Sequence, residues 1–144
     1  MKTRVFKIQF SEYIPETLST ETLYISMECA IASHKCACGC GQEVVTPFSP
    51  TDWKLTYDGE SISLSPSIGN WSYPCRAHYF IRNNRVIWAS DMSQEAIQLG
   101  RLGDRRRKAI HYNQEIDEIP TNTESGVMSG GILNAIARFF GFKK

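Results

Sequence analysis

Cys36-Ala37-Cys38-Gly39-Cys40-Gly41, read together with Pro74-Cys75-Arg76-Ala77-His78, decides how this chain folds. Residues i, i+2 and i+4 of a strand point to one side. Fully extended, the outer two cysteines would still sit roughly 13 Å apart, at about 3.3 Å per residue. They can share an ion only if the backbone folds into a tight knuckle, and Gly39 and Gly41 accept the positive φ values that a knuckle needs. Cys75 and His78, three residues apart, have a spacing common among zinc ligands. Zinc takes four tetrahedral ligands, and here five candidates compete for it: Cys36, Cys38, Cys40, Cys75 and His78. Four thiolates would leave His78 free; Cys38, Cys40, Cys75 and His78 would leave Cys36 free. Either set is closed, with no position for water, so the expected zinc is structural.

The bulk composition suits such a reading. The chain of 144 residues fits one domain, and 42% hydrophobic residues can bury a core. A formal net charge of +1 gives no whole-molecule field for nucleic acid, and no nucleic-acid partner is expected. No apolar run reaches membrane-spanning length, so no membrane partner is expected either. Met1-Lys2-Thr3-Arg4 leads into an alternating pattern rather than a secretory apolar region, which points to the cytoplasm. Five cysteines, an odd number in that compartment, argue for ligands rather than a disulfide framework. Cys29 lies in a strand pattern and reads as a small core residue.

Working outward, Thr3 to Phe10 alternates with period two, with Phe6, Ile8 and Phe10 on one face. Thr22 to Ser26 reads as a strand that Ala30 to Lys35 extends towards the cysteines, and Glu43 to Thr46 as a short strand stopped by Pro47. Two hairpins follow: Trp53–Tyr57 with Ser61–Leu64 across Asp58-Gly59, and Tyr79–Ile81 with Val86–Ala89 across Asn83-Asn84. Ser93 caps a helix through Gln98; Gly100 and Gly103 weaken its continuation, and Asp104 to Tyr112 restarts it. Residues 120–131 have linker composition, and residues 132–144 form an amphipathic helix. The expected fold is α+β: one β-rich domain over residues 1–119, with hairpins around the zinc site, plus C-terminal helices.

Chemistry is less sharply written. Ser67 follows Pro66 where a strand is expected to give way to a loop, shortly before Cys75. A serine nucleophile needs a base within hydrogen-bond reach and donors for an oxyanion. His78 and His34 are the nearest histidines in sequence, the Gly69 amide and the Asn70 side chain are candidate donors, and Asp91 or Asp52 could orient the base. On residues alone, a serine-rich turn is the favoured reading of this segment. His34, two residues before the knuckle, could instead be a ligand or hydrogen-bond to a thiolate. Arg101 and Arg105 to Lys108 read as a solvated helix face, and His111 as a surface residue.

The segment Leu23 to Trp88 nevertheless resembles a small bacterial family. The shared pattern is the knuckle Cys36 to Gly41, Thr46-Pro47, Trp53, Pro66-Ser67-Ile68-Gly69-Asn70-Trp71, and Pro74-Cys75-x-x-His78-Tyr79. The family it resembles is the BubE type, from operons that encode ubiquitin-like proteins beside relatives of activating and conjugating enzymes. The resemblance implies a serine peptidase that removes the ubiquitin-like modifier, a fold related to the JAB metalloproteases, and a ubiquitin-like protein and its conjugating enzymes as partners. It also raises Ser67 from turn residue to candidate nucleophile. The JAB metal signature, a His-x-His pair followed by Ser-x-x-Asp, is absent. The family commonly has Ser before the final His; Ala77 stands there in this chain. A rival reading is a non-catalytic zinc adaptor that recognises the modifier, and a third is a cysteine hydrolase using Cys36 or Cys40.

Overall fold

A computed structural model describes residues 1–113. The expected linker at 120–131, the helix at 132–144 and the end of the 1–119 domain lie outside the described residues. Eight strands and one helix form an α+β fold: β1 (Lys7–Phe10), β2 (Thr22–Ser26), β3 (Ile31–Lys35), β4 (Glu43–Pro47), β5 (Lys54–Tyr57), β6 (Ile62–Gly69), β7 (His78–Arg82), β8 (Arg85–Trp88) and α1 (Gln94–His111).

The strands divide into two four-stranded sheets, β1-β2-β3-β4 and β5-β6-β7-β8. All neighbours pair antiparallel except β1 and β2, which run parallel. One apolar core joins the sheets: Phe6, Leu23, Ile25 and Val44 meet Ile62, Leu64, Ile68, Tyr79 and Ile81. Fully burying a side chain of this kind stabilises by about 1.5–3 kcal/mol. The N-terminal segment stitches the sheets along one side, because Val5 bridges Arg85 before the chain enters β1. Phe6 N–H donates to Asn84 O at 2.8 Å, and Val86 N–H donates to Arg4 O at 2.9 Å.

Turn chemistry sets both hairpins. Asn83 and Asn84 both take positive φ, 47° and 65°, the backbone a two-residue primed turn requires. At the first hairpin the connection is longer than a two-residue Asp-Gly turn. Asp58 Oδ1 accepts from the Glu60 and Ser61 amides, at 3.0 and 2.7 Å, and closes a loop over Asp58–Ser61.

Several expectations are corrected. Ala30 to Lys35 does not extend β2: the chain turns at Met27–Ala30 and returns antiparallel as β3. Cys29 sits in that turn and is exposed. Phe10 is exposed, because the alternation of Phe6 and Ile8 loses its cover at the end of β1. The helix does not break at Gly100 and Gly103 but runs unbroken from Gln94 to His111. Ser67 lies inside β6, which continues through Gly69 past a register irregularity between Leu64 and Ile68. The Ser65–Pro66 peptide in that irregular stretch is cis.

Candidate active site and cysteine cluster

The knuckle forms as the glycines demand. Gly39 and Gly41 adopt φ of 87° and 82°, and hydrogen bonds from Gly39 N–H to Cys36 O (3.0 Å) and from Cys36 N–H to Gln42 O (2.7 Å) close the turn between β3 and β4. The connection from β6 to β7 brings in Cys75, so each sheet contributes one loop. The four sulfurs of Cys36, Cys38, Cys40 and Cys75 all lie within 4.8 Å of one another. Three of the separations are 3.4 Å (Cys36–Cys38), 3.9 Å (Cys36–Cys75) and 3.7 Å (Cys40–Cys75). A regular tetrahedron with a metal–sulfur distance of about 2.3 Å has edges of about 3.8 Å, so these thiols fit a four-thiolate ion. Burial pushes the Cys36 thiol up and the Cys38 thiol up to about 12. All four could be thiolates at once only around a cation, and their spacing could hold one. The side chains placed to share an ion are these four thiols, without His78.

His78 faces Ser67 instead, and sheet register explains why. His78 on β7 lies opposite Gly69 on β6. Ser67 is two residues along the same face of β6, within reach of a diagonal neighbour. Gly69 has no side chain to block the way, and His78 Nε2 lies 3.0 Å from Ser67 Oγ. The other ring nitrogen, Nδ1, lies 2.7 Å from the main-chain carbonyl of Ser90. A carbonyl only accepts, so Nδ1 carries the proton and, in the neutral ring, Nε2 is the acceptor facing the serine hydroxyl. This is the arrangement of a nucleophile and base oriented by a third group, that group being backbone.

Neither aspartate considered from sequence orients His78. Asp91 pairs with Arg76 at 2.9 Å, which holds its carboxyl below the usual range. Arg76 also donates to Met92 O at 3.0 Å. Asp52 pairs with Lys108 at 2.6 Å and accepts from Ser49 Oγ at 2.7 Å.

His34 is not brought to Ser67. It is fully buried, with Nε2 2.8 Å from the Tyr79 hydroxyl, and burial lowers its pKa to about 3. The Asn70 side chain is already engaged through one of its two amide hydrogens. Its Nδ2 donates to Cys36 Sγ at 3.3 Å, and its main-chain N–H donates to Ala77 O at 2.9 Å. Asn70 thus links the thiol cluster to the strand that carries Ser67. The Gly69 amide is different. The Asn70–Ala77 bond makes 70 and 77 a hydrogen-bonded pair, so 69 and 78 form a non-hydrogen-bonded one, and the main-chain groups of Gly69 point away from β7. They have no partner among the described residues.

Sequence reading missed two participants. Trp71 packs its indole over Gly69 and against His78, with ring centroids 4.9 Å apart. Its place in the Ser67 to Trp71 motif was the only hint. The Ser90 carbonyl has no sequence signature at all, since every residue carries one.

No curated protein and no solved structure matches the chain. A family model does, over residues 10–89, which include the knuckle, Ser67, Cys75 and His78. The chain belongs to the BubE family, described as the bacterial ubiquitination-like system serine protease.

Proposed function

We propose that this chain is a peptidase that cleaves a ubiquitin-like modifier from its conjugates or precursor, with Ser67 as nucleophile and His78 as general base. The observation that carries this reading is the 3.0 Å approach of Ser67 Oγ to His78 Nε2, with Nδ1 held by Ser90 O. His78 takes the Ser67 proton as Oγ attacks the carbonyl that follows the modifier's last residue. The Gly69 N–H is the free donor for the oxyanion. The proton on Nε2 then passes to the departing amine as the carbonyl–nitrogen bond breaks, leaving an acyl ester on Ser67. Water, activated by the same nitrogen, hydrolyses that ester and releases the modifier's carboxylate.

Cys36, Cys38, Cys40 and Cys75 would hold zinc in a closed, structural site. Bound there, it would cross-link the β3–β4 and β6–β7 connections and offer no open position for water. The reduced thiols suit a cytoplasmic setting. The partners that follow are the ubiquitin-like protein and its conjugating enzymes.

The test is cleavage of a modifier conjugate by Ser67→Ala and His78→Ala variants. Each is expected to lose about 10⁴–10⁶-fold in kcat, by analogy with serine peptidases whose nucleophile or base is removed. Both should keep the wild-type melting temperature. Cleavage retained by Ser67→Ala would eliminate this mechanism, and binding of the modifier without turnover by the wild type would favour a non-catalytic adaptor.

A further inference from the structure

The two sheets are stitched where Val5 meets β8, but on the opposite side they leave a seam. There a cavity of about 230 Å³ has Val45 of β4 on one wall and Gly69 of β6 on the other, with Trp53, Trp71 and Tyr73 around it. Both walls are strand edges. β4 is the edge of its sheet. Phe48 N–H donates to Ala30 O, and Cys36 N–H to Gln42 O. These bonds fix 44 and 46 as the residues whose main chain faces β3, so the main chain of 43, 45 and 47 faces outward.

Two of those three outward residues are engaged: Glu43 O accepts from the Tyr73 hydroxyl at 2.5 Å, and Pro47 O accepts from Trp53 N–H at 3.1 Å. The N–H and C=O of Val45 between them have no partner among the described residues. Across the seam, Gly69 is likewise outward-facing, because β5 stops pairing with β6 at Ser65. Trp53 adds a buried indole Nε1–H without an acceptor. The cavity therefore presents main-chain donors and acceptors from two opposed strand edges. It also adjoins the Ser67–His78 pair, since Gly69 lies opposite His78 and Trp71 stacks on it.

From this geometry we infer that the seam between β4 and β6 binds the extended C-terminal tail of the scissile modifier as an added strand, hydrogen-bonded to Val45 and leading its last carbonyl past Gly69 to Ser67. The inference rests on the peptidase reading for the identity of the tail. Strand addition is the recognition mode that unpaired edges provide: main-chain bonds supply affinity whatever the side chains.

Binding can be measured apart from cleavage, in Ser67→Ala protein, with a fluorescein-labelled synthetic heptapeptide that copies the modifier's C-terminal tail. Replacing Val45 by Pro removes one outward N–H and no ladder bond, since that N–H is unpaired. Val45→Thr changes the side chain and keeps the N–H. Val45→Pro is expected to weaken peptide binding at least about tenfold at unchanged melting temperature, while Val45→Thr binds as the parent does. Of peptides N-methylated at one backbone nitrogen each, only those blocked at a nitrogen facing Val45 O or Gly69 O should lose binding, since Glu43 O and Pro47 O are already engaged. If Val45→Pro misfolds, that pattern alone decides. Absence of peptide binding, full binding by folded Val45→Pro, or indifference to N-methylation would overturn the inference. Whether Ser67 is the nucleophile is read separately, from turnover.

Discussion

Gly69 is where the two halves of the site meet at the level of one residue. A Cβ built there would stand 2.4 Å from Trp71 Nε1 and 2.6 Å from its Cε2, so any side chain displaces the indole. The indole in turn packs against His78. Gly69→Ala is therefore expected to shift His78 away from Ser67 without unfolding the sheet. A displacement of about 1 Å at reacting groups can cost about 10²-fold. The expected outcome is a fall in kcat of that order, with a melting temperature within a few degrees of wild type; kinetics on a modifier conjugate would measure it. Unchanged kcat would show that Trp71 can move without carrying the imidazole along.

At the scale of elements, α1 is held to the sheets by little. Ile97 is its one buried residue, and Lys108 reaches Asp52 on the β4–β5 connection. Ser93 caps it by accepting from Ala96 N–H, and Lys108 and His111 in its last turn suit the helix dipole. These features offset about 1 kcal/mol for each internal glycine and explain why Gly100 and Gly103 do not end it. Lys108 holds the Asp52 carboxyl below its ordinary range, with help from Ser49. A lowered carboxyl contributes stability that is present above the ordinary pKa of 3.8 and is lost as pH falls through that value and the lower folded one. Lys108→Ala is thus expected to cost up to about 1 kcal/mol near neutral pH, since the pair is partly exposed. The cost should shrink in acid, which denaturant titrations at pH 7 and pH 3 would show.

Which elements could be read beforehand follows the same physics. The hairpins were legible because Asp58-Gly59 and Asn83-Asn84 announce their turns locally. The knuckle was legible because three cysteines cannot meet on an extended strand. The parallel pairing of β1 with β2 was not, since it depends on a bridge from Val5 to Arg85, eighty residues away. Nor could the residues choose between His78 as ligand and His78 as base. The register that sets His78 opposite Gly69 follows an irregular stretch at 65–67 and has no local signature.

For the molecule as a whole, the thiol cluster joins the β3–β4 and β6–β7 connections, in addition to the Tyr73–Glu43 and Trp53–Pro47 bonds. Bound zinc contributes folding free energy, about 10–16 kcal/mol in small zinc domains. Purified protein is expected to carry one zinc per chain. Denaturation and refolding in a strong chelator should lower the melting temperature by more than about 10 °C and abolish turnover together, because Asn70 and Cys75 flank the site's two strands. Metal content, calorimetry and activity on the same sample check this. A chelated, refolded protein with wild-type melting would show that the apolar core alone sets the geometry.

Because His78 is steadied by the oxygen of a peptide bond, the proposed catalytic apparatus has a member that no amino-acid exchange can delete. On that proposal, alanine scanning would report Ser67, His78 and the clustered cysteines and count the position after Ala89 as replaceable. The vulnerability lies instead in the path of the chain beyond β8, where Arg76 grips Asp91 and Met92. On the proposed mechanism, an insertion or a deletion there would abolish turnover while leaving Ser67 and His78 in place.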